Sequence, residues 1–215
     1  MKRSLLVAGA TGLVGSAVVE LALADQRFGR VITWGRRAMP NTDGAEHWAP
    51  GPVSLIDGLR NERVDAVICC LGTTMRNVKG DKKAFVHVDL ELVLALARWA
   101  EGSDTRFCLV SALGADPNSA FFYNRVKGRV EMDLRRLTFQ ALHIFRPSIL
   151  DGPRKEDRPG ERAGLVLMKF LAPLLPTRSR PMPYRTLAKA LLSAAAGTDS
   201  GVHIHTTAGI KALAG

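Results

Sequence analysis

Residues 7–15 read VAGATGLVG, and the fold of the whole chain turns on how they are understood. Gly9, Gly12 and Gly15 recur at every third position, directly after the apolar run SLLVA (4–8) and directly before residues 13–24, whose apolar side chains return at helical spacing. A glycine-punctuated turn between a buried strand and a helix aims the first free N–H groups and the dipole of that helix at whatever anion sits there. Gly9 is expected to make the turn, Gly12 to let a pyrophosphate approach the backbone, and Gly15 to let the helix pack closely on the sheet. The spacing differs from the commoner GxGxxG, and three glycines alone permit no more than a flexible turn. The strand before them and the helix after them carry the reading as a dinucleotide cradle.

The alternation continues outward from this unit. VITWG (31–35), AVICCLG (66–72), FCLVS (107–111) and ALHIFR (141–146) are continuous apolar runs of the kind found in parallel strands covered on both faces. Residues 84–100 and 121–137 are helical in pattern and lie between them, so the order predicts an α/β fold with a doubly wound, mostly parallel sheet. EHWAPGPVSLIDGL (46–59) is expected to hold the third strand, short or displaced because Pro50, Gly51 and Pro52 punctuate it. Beyond Pro147 the pattern changes to a Pro- and Arg-rich loop, a helix around 163–175, a second loop, a helix over 184–196 and a short strand at GVHIHTT (201–207). Residues 147–185 are expected to form a small lobe over the C-terminal edge of the strands, where open α/β sheets bind ligands. The whole chain, 1–215, reads as a single domain.

Composition narrows the classes. Apolar residues make up 47% and charged residues 23% of the 215, as in an ordinary soluble globular protein. The formal charge of +10 is spread along the chain with clusters at 36–37, 154–162 and 178–185, aromatic residues are 6%, and no nucleic-acid signature accompanies them; nucleic-acid binding is not expected. The basic, apolar start resembles a signal peptide, but glycines interrupt it at once, so it reads as mature protein. No apolar run reaches the roughly 18 residues of a membrane span. Cys69, Cys70 and Cys108 lie in apolar segments, two of them adjacent, and read as reduced thiols of a cytoplasmic protein. His203 and His205 share one strand face; with no Cys, Asp or third His at useful spacing they read as a strand surface, with no metal site expected.

Three further stretches carry chemistry. In WGRR (34–37), Arg36 and Arg37 stand where an NAD site would place a carboxylate, and their charge and planar donors suit the 2′-phosphate of NADP(H). In CCLGTT (69–74), Gly72 would admit the cofactor to the backbone and Thr73 and Thr74 would bond phosphate or ribose, although the stretch reads equally as a simple strand exit. Tyr123 and Lys127 are four apart on a helix, hence on one face. A phenol is a poor acid-base catalyst at neutral pH, and a neighbouring ammonium stabilises its phenolate; Lys127 would do this and hold the nicotinamide ribose. Ser111, twelve residues before Tyr123 at a strand end, would bond a substrate carbonyl. The chain's other tyrosine, Tyr184, has Ala188 at the fourth position. Asp89 and His87, on the helix before the fifth strand, read as cap or surface groups as readily as site groups.

These stretches, GATGLVG, GRR, CCLGTT, VSALGAD, YNRVKG and FRPSILDGPRKEDRPGE, together resemble the atypical short-chain dehydrogenases/reductases, and within them the Tat-interacting protein group. The resemblance runs from the N-terminus to about residue 162. It implies an NADP(H)-binding Rossmann domain with cofactor contacts at Thr11, Gly12, Leu13, Val14, Arg36, Arg37, Leu71, Gly72, Tyr123, Lys127, Leu150 and Arg158, and Tyr123 as proton donor or acceptor. The Pro-rich third-strand region departs from the pattern. The expected activity is an NADPH-dependent oxidoreductase acting on a small carbonyl or alcohol; the alternatives are a non-catalytic NADP(H)-sensing protein and an epimerase-like enzyme that retains its cofactor. A homodimer is left open.

Overall fold

The computed structural model describes residues 2–40, 42–49, 58–59, 61, 63–152 and 181–215. Strand β1 (Arg3–Ala8) leads through α1 (Leu13–Leu23) to β2 (Phe28–Trp34), β3 (Ala45–Trp48) and β4 (Ala66–Cys69). One helical run follows, built of α2 (Lys82–Val86), a π turn (His87–Glu91) and α3 (Leu92–Trp99). Then come β5 (Gly102–Val110), α4 (Phe122–Leu134), β6 (Phe139–Phe145), β7 (Leu150–Asp151), β8 (Met182–Pro183), α5 (Tyr184–Ala195), β9 (Gly201–His205) and α6 (Thr207–Leu213).

Seven strands pair in the order β3-β2-β1-β4-β5-β6-β9, every pair parallel. This is a Rossmann-like, doubly wound sheet. After β1 the chain turns outward to β2 and β3, then returns past β1 to β4, so the order reverses between β1 and β4 and opens a crevice at their C-terminal ends. Strand residues alternate between the sheet's two faces. Leu5 and Val7 join the core beneath α1 and α5, while Leu6 and Ala8 join the core beneath α3 with Ile32, Trp34 and Trp48. Both faces are therefore apolar, which is why the strands read as unbroken apolar runs. Among the described residues no helix is long and apolar enough to cross a membrane.

The third strand is short, as the prolines after it require. Several boundaries differ from the pattern reading, β2 and β5 each starting earlier, at Phe28 and Gly102. The fourth strand stops at Cys69, because residues 70–72 leave the sheet to line the crevice, and α6 was not expected, since seven residues around Gly209 give little helical signal. Of the expected lobe, β7 and β8 form a two-stranded parallel pair; the helix expected around 163–175, Pro50–Pro52 and Arg158 lie outside the described residues.

Candidate active site

The glycine loop is constrained by what touches it. Gly9 sits at φ +78, in the left-handed region, and a Cβ there would lie 2.7 Å from the Cys70 carbonyl oxygen; a Cβ on Gly15 would overlap the Gly9 carbonyl. Among the described residues the only near neighbour at Gly12 is that same carbonyl, 3.2 Å away. Gly12 caps α1 without a side-chain hydrogen bond, and the first turn holds no acidic residue. A helix N-terminus with open N–H groups and no acid in its first turn suits a pyrophosphate.

Facing this loop is a cleft of about 800 Å³, the size of a cofactor site. Thr11, Gly12, Leu13, Val14 and Gly15 line one side; Leu71, Gly72, Thr73 and Thr74 from the exit of β4 line its floor; Ser111, Tyr123, Lys127 and Leu150 line the other side. Tyr123 is 39% exposed, and its ring packs on the buried Phe85 with centroids 5.9 Å apart. Lys127, one turn along α4, is buried, and its Nζ lies 2.8 Å from Oδ1 of the fully buried Asp89. Burial is the largest single influence on the Lys127 ammonium and opposes it, but Asp89 and the neighbouring Tyr123 together outweigh burial, so the group is held above the usual lysine range. The other Asp89 oxygen accepts the Thr73 backbone N–H at 2.7 Å.

Ser111 stands on a second charged pair. Its hydroxyl donates to Glu131 Oε1 at 2.5 Å, and Arg146 donates to both Glu131 oxygens, the closer bond from Nη2 at 2.5 Å. Glu131 is buried, and Arg146, at the end of β6, is held above the usual arginine range chiefly by hydrogen bonding to it. With its one proton given to Glu131, Ser111 offers lone pairs to the cleft.

Thus the candidate catalytic side chains Tyr123, Lys127 and Ser111 come together, as do the loop residues and the β4 exit. Gly9 supports the loop from below without lining the cleft. Arg36 and Arg37 follow the end of β2, beside β1, and both are exposed; they flank the cleft and do not line it. Glu131 and Arg146 are the site groups that pattern alone did not single out, and Asp89, which pattern left equally open as cap, surface or site group, belongs to the site. Their signal was present in the spacing: Asp89 falls four residues after Phe85 and four before Val93 on the buried helix face, and Glu131 falls one turn after Lys127.

The three thiols are free, and burial pushes Cys69 up to about 11 and Cys108 up to about 12. They are inert packing groups. The strand histidines are more connected than expected: His143 from β6 stacks against both His203 and His205, with centroids 4.8 and 5.3 Å apart, and Asp199 reaches His203 Nε2 at 3.1 Å. Ligand atoms of His143, Asp199 and His203 lie within 4.8 Å of one another. The guanidinium of fully buried Arg106 already bonds both His143 Nε2, at 3.0 Å, and Asp199 Oδ1. A fixed cation at this point opposes a metal ion and makes the cluster an arginine-centred polar network.

Residues 5–120 match the family described as Epimerase: NAD dependent epimerase/dehydratase family. Protein HTATIP2 of Rattus norvegicus is 33% identical over 207 residues, 93% of this chain and 84% of that protein. Protein FMP52, mitochondrial, of Eremothecium gossypii is 35% identical over 165 residues, 72% of this chain and 70% of that protein. Of solved structures, MoeE5 in complex with UDP-glucuronic acid and NAD superposes with a TM-score of 0.69 at 19% identity, over 94% of this chain and 75% of that one. A short chain dehydrogenase family protein from Francisella tularensis superposes with a TM-score of 0.69 at 14% identity, over 97% and 99%. At such identities the structures speak for the fold alone.

Proposed function

The chain belongs to the NAD dependent epimerase/dehydratase family, and from that premise we propose that it is an NADP(H)-dependent oxidoreductase acting on a small carbonyl compound or the corresponding alcohol. The observation that carries this reading is the single cleft in which Tyr123, Lys127 and Ser111 face the glycine loop. NADP(H), when bound, supplies or accepts the hydride of such a reaction. The open N–H groups of Leu13 and Val14, just after the Gly12 cap, hold its pyrophosphate, and Thr73 and Leu150 flank it. Arg36 and Arg37 meet a 2′-phosphate at the end of β2. Tyr123 gives its hydroxyl proton to the carbonyl oxygen in reduction and takes it back in oxidation. Lys127 holds the ribose and steadies the phenol, and Ser111, whose own proton rests on Glu131, lines the cleft and helps to place the substrate beside Tyr123.

Thermal unfolding with NADPH and with NADH tests the cofactor, because a ligand that binds only the folded state raises stability by mass action. NADPH should stabilise selectively, and replacing Arg36 and Arg37 by serine should cost about tenfold or more in NADPH affinity, as loss of charge-assisted hydrogen bonds does. Indifference to both nucleotides would sink the assignment. The family's own description favours a second reading, an epimerase that uses the same residues and keeps its cofactor through the cycle; nucleotide that survives dialysis would select it. All three cysteines are free, which suits a reducing compartment, and we assign the protein to the cytoplasm; the word mitochondrial belongs to the name of the fungal relative.

A further inference from the structure

Lys127 does not stand alone beneath Tyr123. Its ammonium lies 2.8 Å from Asp89 Oδ1, with side-chain exposures of 6% and 0%. The two groups form a buried ion pair. Asp89 sits within the π turn, where the Leu92 N–H reaches back five residues to the His87 carbonyl, an irregularity that concentrates at functional sites. Its second oxygen is tied to the Thr73 N–H. A Cβ on Gly72 would lie 3.4 Å from Asp89 Oδ1 and 3.6 Å from Lys127 Nζ, so the pair forms the cleft floor directly under that glycine.

We infer that Asp89 is a positioning residue that compensates the Lys127 charge, so that Tyr123 works beside a neutral ion pair and serves the reaction as a proton donor. A bare ammonium there would favour tyrosinate, the base that alcohol oxidation needs; a compensated one favours phenol, the acid that carbonyl reduction needs. Asp89 thereby biases the site toward reduction. The catalytic consequence rests on the oxidoreductase reading, whereas the charge compensation does not. Among the described residues the surrounding groups leave this balance intact. Cys69, on β4, is kept a neutral thiol by burial, and Glu131, one turn beyond Lys127, is bound by Arg146.

With only two tyrosines in the chain, a Tyr184→Phe background leaves Tyr123 as the sole source of the ultraviolet tyrosinate band. Adding Asp89→Asn should bring that band in at a pH lower by about one unit while Lys127 keeps its proton, the effect of one uncompensated charge in a partly shielded site. An unchanged midpoint in a folded variant whose Lys127 side chain is still protonated by 15N NMR would overturn the inference; where burial has stripped that proton, the paired variant decides. Should the lone substitution fail to fold, the paired Asp89→Asn/Lys127→Met variant buries no unmatched charge. Its midpoint should stay within about half a unit of the background protein, and a rise of about a unit or more would mean that Lys127 acts uncompensated and the inference is wrong. Neither titration uses substrate or nucleotide, so failure of the oxidoreductase reading leaves the result interpretable.

Discussion

Tyr123 and Ser111 each back onto a buried ion pair, and the two pairs make different demands. Removing the Tyr123 hydroxyl with phenylalanine takes away the proton that moves and little else. Turnover should fall by about 10²–10⁴-fold with NADPH affinity nearly unchanged, measured by steady-state kinetics and calorimetry; equal loss of both would contradict the assigned role. Glu131→Ala instead leaves Arg146 without its carboxylate and Ser111 without its acceptor. Breaking a buried pair from one side costs about 3 kcal/mol where the surviving partner is partly exposed. For a chain of this size that is roughly 6–12 °C in Tm, and Glu131→Gln, which still accepts from Ser111, should lose less. At this scale Tyr123, Lys127 and Ser111 were legible from residue types and spacing. Glu131 was not, and Asp89 read as a cap or surface group as readily as a site group, because a carboxylate inside an amphipathic helix looks like any solvated one until its partner is placed. Lys127 lies 38 residues from Asp89 and Arg146 lies 15 from Glu131 in sequence.

Among elements, the β1–α1 unit is the most fully determined by its letters. Gly15→Ala would drive a methyl into the Gly9 carbonyl, and overpacking of this kind costs about 1–3 kcal/mol. Denaturant unfolding should register that loss, together with loss of NADPH-induced stabilisation as the loop is displaced. The β6–β9 pair was legible only as strands; its polar network joins His143, Asp199 and Arg106 from three separate regions, which no local pattern displays. That network makes a pH prediction. Burial is the main cause of the drop of His143 from 6.5 to about 4, and it also lowers His205. Arginine can only donate, so His143 accepts at Nε2 and its own proton sits on Nδ1, directed at His205 Nε2 3.0 Å away. Between about pH 4 and 6.5 the unfolded chain binds protons that the folded one refuses, so stability falls as pH is lowered through that window. Urea midpoints from neutral pH to about pH 4 should trace the decline. His143→Gln should flatten it, and an identical decline in that variant would place the acid sensitivity elsewhere.

Over the whole molecule, the doubly wound sheet was readable because every central strand is apolar on both faces and every crossover helix is periodic. The last strand's place beside β6 was not, since nothing in GVHIH names its neighbour. What helps to hold that end in position is a pair of arginines from strands laid down much earlier in the chain. Arg3, on the first strand, donates to the Ala195 and Gly197 carbonyls, and Arg106, on the fifth, donates to the Ala194 and Asp199 carbonyls, where the negative end of the α5 dipole welcomes them. A chain cut after Pro183 should therefore lose cooperative unfolding in calorimetry, since it takes from Arg106 its Ala194 and Asp199 acceptors and strips α5 from the core. The same feature bears on how the protein is made. During synthesis the strands of the central sheet precede residues 194–199, so a growing chain holds Arg3 and Arg106 without these carbonyls until that stretch has been made. The cradle, translated well before α5, gains the core it shares with that helix only once residues 184–195 have followed.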